Sequence, residues 1–294
     1  MVPRPPPLRL RPPLRLRHRP RTHRRLDLRP PPPPRNHPLP PAPLPDLPVR
    51  RPYVTPRSLP RAAARWTAAL RPWARRRPFP DLHHAALLCI DLEHAFVDPR
   101  GDAFLPAARA VLPRILALRD AFRAAHLPVV WTRHAHGPRQ RPGSMARHWN
   151  WLLREDTAGT RLVPELQPRP GELVLRKRQY SAFHHTRLAR WLARRHVRTV
   201  VVTGVMTHLC VETTARAAFL HDLDVVVPLD ACATADETLH LGALRALANG
   251  FGVVPTTDQV LRRLQRLTPR TPSTAGATTT IAPVAPAPAP PTTR

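Results

Sequence analysis

From residue 85 onward, apolar runs alternate with stretches of helical spacing. Ala85 to Ile90 is a continuous apolar run closed by Asp91, the pattern of a parallel strand buried on both faces. Residues 104–125 then place Leu112, Ile115, Leu116, Leu118 and Phe122 at helical intervals. Strands are expected at 128–132, 172–177, 199–203, 224–229 and 252–255, with helices at 186–195, 209–221, 236–249 and 257–267. Each crossover is long enough for a parallel connection. The expectation is a Rossmann-like α/β domain over 82–267, three layers deep (α/β/α) around a six-stranded, mostly parallel sheet. Residues 134–170 break the rhythm with prolines, glycines and two tryptophans, and a loop of that length reads as a pocket wall or lid.

The ends of the chain read differently. Residues 1–80 hold twenty arginines against two acids, and proline runs such as Pro30 to Pro34. This predicts a disordered, partly polyproline II arm, with a short basic helix over 66–77 interrupted by Pro72. Residues 268–294, rich in Pro, Ala and Thr, predict a disordered tail. The arm carries +18 of the formal +28, so basicity is chiefly a property of the arm and suits nonspecific contact with a polyanion there. No run approaches the roughly 20 apolar residues of a membrane span, and the N-terminus lacks the apolar core of a secretory signal. Three cysteines without Cys-x-x-Cys spacing make no disulfide framework. A cytoplasmic protein without membrane partners is the expectation.

The chain has a single lysine, Lys177, amid heavy arginine usage. An ammonium on a flexible stem offers a point charge and a shiftable pKa that a guanidinium does not. Lys177, Asp91 and the Gly204 turn leading to Cys210 all fall at carboxyl ends of expected strands, where α/β sheets gather their working residues. A cysteine at a helix start, beside a lysine, has its thiol pKa lowered, and a carboxylate in reach can take and return its proton. The set suits acyl transfer without a histidine, with backbone amides of the helix start stabilising the oxyanion. Cys89, mid-strand, and Cys232, in a loop after the fifth strand, read as small buried hydrophobes.

Three segments carry a resemblance: Leu87-Leu-Cys-Ile-Asp91-Leu-Glu-His-Ala-Phe96, Lys177-Arg-Gln-Tyr-Ser-Ala-Phe183, and Thr203-Gly-Val-Met-Thr-His-Leu-Cys210-Val-Glu-Thr-Thr-Ala215. Gly159-Thr160, Asp230-Ala231 and His240 support it. The chain resembles the isochorismatase-like cysteine hydrolases, which include nicotinamidases, N-carbamoylsarcosine amidases and ureidoacrylate amidohydrolases. The resemblance implies the isochorismatase-like fold, Cys210 as nucleophile, Asp91 as general base and Lys177 as stabiliser of the thiolate. It also implies a cis peptide between Val205 and Met206, an oxyanion hole from the amides of Met206 and Cys210, and a homo-oligomer. The implied reaction cleaves a small amide or carbamoyl C–N bond through a thioester.

Glu93 stands where many members have glutamine. Where nicotinamidases hold a metal through Asp-x-His, this chain reads Thr132-Arg-His-Ala-His136, so neither a metal nor another cofactor is expected. Phe96, Trp131, His134, Trp149, Tyr180 and Phe183 are candidates to line a pocket for a small substrate, and Arg133 and Arg178 to meet a substrate carboxylate. Two alternatives stay open. One is vinyl-ether hydrolysis, although members that cleave isochorismate do not use the cysteine. The other is a catalytically idle domain that binds through its basic arm.

Overall fold

The computed structural model describes residues 52–75, 77–140 and 143–267. The segments assigned to the far N-terminal arm (1–51) and to the tail (268–294) lie outside the described residues.

The chain forms a parallel sheet from β1 (Ala85–Ile90), β2 (Val129–His134), β3 (Leu173–Lys177), β4 (Thr199–Val205), β5 (Asp224–Val226) and β6 (Cys232–Ala233). The order is β3-β2-β1-β4-β5, and every pairing is parallel. β5 pairs with residues 199–201 of β4, and β6 takes up β4 further along, at Gly204 and Val205. Central β1 and β4 are buried at every position, which is why both read as unbroken apolar or small runs. Edge strand β3 alternates buried and exposed residues, with Leu173, Leu175 and Lys177 facing inward.

The helices are α1 (Leu59–Leu70), α2 (His94–Val97), α3 (Pro106–Ala124), α4 (Gly143–Trp149), α5 (Leu188–Ala193), α6 (Glu212–Leu220), α7 (Glu237–Gly250) and α8 (Thr257–Leu264). α8 begins with a capping box between Thr256 and Gln259. Asp230 receives hydrogen bonds from the amide and hydroxyl of Thr257 at 2.6 and 2.8 Å, so that carboxylate joins α8 to the sheet.

Two expectations need correction. The sixth strand is Cys232–Ala233 and not 252–255, and Cys232 is therefore in a strand rather than a loop. Segment 252–255 makes one isolated bridge, Val226 to Val253, and Pro255 has no N–H to extend a ladder.

The second correction concerns residues 1–80. Their last part belongs to the folded domain, and the helix there spans Leu59–Leu70 rather than 66–77. Leu59, Ala62, Ala63, Trp66 and Leu70 are buried, one stripe at helical spacing. Trp66 donates from Nε1 to Glu237 Oε1 at 2.6 Å, tying α1 to the first turn of α7. Pro72 lies beyond the helix end and interrupts nothing.

Candidate active site

Three strand ends converge on one ammonium. Lys177 closes β3, and its inward stem reaches past the end of β2 to Asp91, directly after β1. Its Nζ is 2.7 Å from Asp91 Oδ2, 3.2 Å from Cys210 Sγ and 3.0 Å from the carbonyl oxygen of Gln179. The ammonium is thus an ion-pair partner of the carboxylate and a hydrogen-bond donor to the sulfur and the Gln179 carbonyl. All three are buried, Asp91 and Lys177 with 1% of their surface exposed and Cys210 with 9%, so the cysteine is the most exposed of the set.

Cys210 arrives by a sharp change of direction. Gly204 takes φ +110° where a side chain would collide with the backbone of Ile90, so only glycine lets β4 pass β1 this closely. The Val205–Met206 peptide that follows is cis. Residues Thr207–Val211 then form a π turn, with the amides of Leu209 and Val211 donating to the Met206 carbonyl at 3.0 and 3.2 Å. Cys210 sits in this turn, just ahead of α6.

Asp91 is fixed by a residue that its position alone did not mark. The Thr132 hydroxyl donates to Asp91 Oδ1 at 2.6 Å and accepts from the Asp91 amide at 3.1 Å. Thr132 and His134 are two apart on β2 and share a face. That period-2 relation to His134 was the available signal.

The electrostatics correct one expectation. Burial pushes the Cys210 thiol up, Lys177 pulls it down, Asp91 pushes it up, and the net direction is upward rather than lowered. That direction favours the thiol form of Cys210 beside the Asp91–Lys177 ion pair. Burial pushes Lys177 down, but Asp91 and Cys210 outweigh it and hold the ammonium above its ordinary range. Glu93 is buried, with both carboxyl oxygens lacking a hydrogen-bond partner. Burial first and the charge of Asp91 second push it well above the usual carboxyl range. His134 is held at about 3, by burial and then by Lys177, and is neutral.

The proposed pocket residues divide. His134 places Nδ1 3.5 Å from Lys177 Nζ. Trp149 donates to the Tyr180 hydroxyl at 2.8 Å, linking α4 to the segment after β3. Phe96 is buried on α2, one turn beyond Glu93. Trp131 does not belong to the pocket. It points to the face of β2 opposite Thr132 and His134, and its Nε1 donates to Glu172 at 2.7 Å beside Arg123. Arg133 shares that face by the same alternation. Phe183 lies against His221, 4.8 Å between ring centres, at the C-terminal end of α6.

The metal-binding possibility fails on donor chemistry. Ligand atoms of Asp91, His134 and Cys210 lie within 4.8 Å of one another, yet the Lys177 ammonium stands among all three and takes the cation's place. His136, 5.2 Å from His134 between ring centres, feels the positive charges of Arg178, Arg154 and Arg176, which oppose a second cation. The described residues around Asp91 do not fit a resident metal.

Comparison with known proteins agrees with this geometry. The Isochorismatase domain matches residues 85–259, which hold Asp91, Lys177 and Cys210. Nicotinamidase 3 of Arabidopsis thaliana is 35% identical over 202 residues, spanning 67% of this chain and 98% of that protein. The ureidoacrylate amidohydrolase RutB of Methylobacterium radiotolerans is 33% identical over 57% of this chain and 74% of its own length. Among solved structures, a cysteine hydrolase from Pseudomonas syringae pv. phaseolicola superposes with a TM-score of 0.62 at 25% identity, covering 66% of this chain and 100% of that one. With its parallel sheet, its set of strand-end residues and a family match over more than half its length, the chain belongs to the isochorismatase family of hydrolases.

Proposed function

We propose that the protein hydrolyses a C–N bond of a small amide or carbamoyl compound, with Cys210 as nucleophile, Asp91 as acid and base, and Lys177 as the charge that holds them together. One observation carries the reading: a single ammonium lies 2.7 Å from the carboxylate and 3.2 Å from the sulfur. Sγ attacks the substrate carbonyl carbon as its proton passes to Asp91. The oxyanion gathers against the amides of Met206 and Cys210. Asp91 returns the proton to the departing nitrogen, which leaves as ammonia or an amine, and Cys210 is left as a thioester. Water, deprotonated by Asp91, then attacks the thioester, and the thiol is restored as the acid departs.

Support also comes from relatives named as nicotinamidase and ureidoacrylate amidohydrolase, and from a structural neighbour named N-carbamoylsarcosine amidase. A thiol in contact with the Asp91–Lys177 pair favours this chemistry over vinyl-ether cleavage and over an idle binding domain. The test is ammonia release from nicotinamide, ureidoacrylate and N-carbamoylsarcosine by the wild type and Cys210→Ala. Turnover of at least one compound, abolished in the variant, is expected. Turnover that survives the loss of the sulfur would sink the assignment.

A further inference from the structure

The turn carrying Cys210 is held from behind by residues that precede the family's matched segment, 85–259. Two side-chain chains reach it. In the first, the Trp66 ring of α1 lies 4.5 Å from the ring of His240 on α7, and His240 Nδ1 is 3.0 Å from the hydroxyl of Thr207, the first residue of the turn. Glu237 holds Trp66 in place through its Nε1 at 2.6 Å, and Arg65 pairs with the same carboxylate oxygen at 3.0 Å. In the second, the Tyr53 hydroxyl accepts from the Thr234 amide at 3.3 Å, and the Thr234 hydroxyl is 2.8 Å from Nδ1 of His208, the turn's second residue. Tyr53 also stands 6.0 Å from Trp66 and 5.9 Å from His240, so the two chains share an aromatic base.

We propose that the segment from Tyr53 to Leu70 is a clasp that sets the nucleophile turn. Trp66 is its principal positioning residue and acts on Cys210 through His240 and Thr207. His240 and Thr207 are buried with Trp66, so the ring has one orientation to offer the threonine hydroxyl. The turn bonds its own carbonyls and amides locally, and its position relative to Lys177 on the distant strand β3 needs an outside reference. The clasp supplies one. This inference rests on Cys210 being the nucleophile.

The test is a double-mutant cycle read by iodoacetamide alkylation of each cysteine, with buried Cys89 and Cys232 as reporters of unfolding. In the parent protein Lys177→Met slows Cys210 alkylation by about tenfold, because the ammonium no longer lowers the thiol pKa. In a Trp66→Ala or Thr207→Val background the same change has an effect of about twofold or less, because the thiol has already left the ammonium. Trp66→Phe, which keeps a ring over His240, restores the coupling. An undiminished Lys177 effect in both backgrounds overturns the clasp. So does a loss of coupling seen only when Cys89 and Cys232 become reactive. Should Trp66→Ala fail to fold, Thr207→Val alone decides, since it removes one hydroxyl. No Lys177 effect in the parent is a separate outcome: it overturns the nucleophile assignment, and the clasp with it.

Discussion

Thr132 and Asp91 exchange two hydrogen bonds, amide to hydroxyl at 3.1 Å and hydroxyl to carboxylate at 2.6 Å. This pins Oδ1 and leaves Oδ2 for Lys177 and for the thiol proton. Thr132→Val keeps the shape and strands the buried Asp91 amide without its acceptor, a cost of about 1–3 kcal/mol. A fall in kcat on the order of tenfold to a hundredfold is expected as the carboxylate loses its alignment. Thermal melting and steady-state kinetics check it, and an unchanged kcat would deny the threonine an orienting role.

Asp91→Asn keeps the side chain's size but cannot take a proton. Turnover is expected to fall on the order of 10²–10⁴-fold, the usual worth of a positioned acid–base group. Lys177→Met has a different signature, because it leaves the Asp91 charge buried and unpaired. Breaking a buried pair in this way costs about 3–5 kcal/mol, which urea denaturation near neutral pH measures directly. A Lys177→Met protein as stable as its parent would mean that the pair is not buried as described.

Glu93 gives a pH dependence of defined sign. Its folded pKa is raised above the ordinary 4.5 by burial and then by Asp91. Below that value both folded and unfolded chains are protonated at this site, and the stabilising contribution is complete. As pH rises, the unfolded chain releases the proton and the folded one keeps it, so stability falls until the folded pKa is passed. Glu93→Gln removes this loss and gains on the wild type by about 1.4 kcal/mol per pH unit across that window. Urea midpoints of the two proteins at several pH values test it; parallel curves would contradict it.

His134 and His240 act in the opposite sense. Both are held at about 3 by burial, so folding excludes protons that the unfolded chain takes up below about 6.5. Stability is complete above that pH and is lost as pH falls toward 3, by about 1.4 kcal/mol per pH unit for each histidine. Proton uptake on unfolding, measured by calorimetry in buffers of different ionisation heat, is expected to be larger at pH 5 than at pH 8. Equal uptake at both would exclude buried neutral histidines.

Asp91 was legible because it closes an unbroken apolar run, the mark of a buried parallel strand; Lys177 because it is the single lysine, at the end of the next-but-one strand; and Cys210 because it follows a strand through the Gly204 turn. Thr132 was not, because threonine inside a strand is ordinary and only its pairing across to Asp91 gives it a role. Trp131 was misplaced for a related reason. Once Thr132 and His134 face the site, the period of two sends Trp131 to the other side, but the sequence does not say which parity faces inward. The stripe of Leu59, Ala62, Ala63, Trp66 and Leu70 was present all along, masked by Arg57, Arg61, Arg65 and the neighbouring prolines. Composition averaged over 80 residues hid a twelve-residue helix. The expected downward shift of the thiol counted helix position and a lysine, whereas burial, the largest influence, and the opposing charge of Asp91 were not visible in the sequence.

The Asp91–Lys177 ion pair governs the Cys210 thiol, the carboxylate holding its pKa up and the ammonium pulling it down. Iodoacetamide alkylation of Cys210 near pH 7, in the wild type, Asp91→Asn and Lys177→Met, tests it most directly. Removing the carboxylate deletes a charge that holds the thiol up, and removing the ammonium deletes the charge that pulls it down. The predicted order of rates is therefore Asp91→Asn fastest, wild type next and Lys177→Met slowest, while Asp91→Asn loses turnover. Equal rates in all three, or a slower Asp91→Asn, would show that this pair does not govern the thiol.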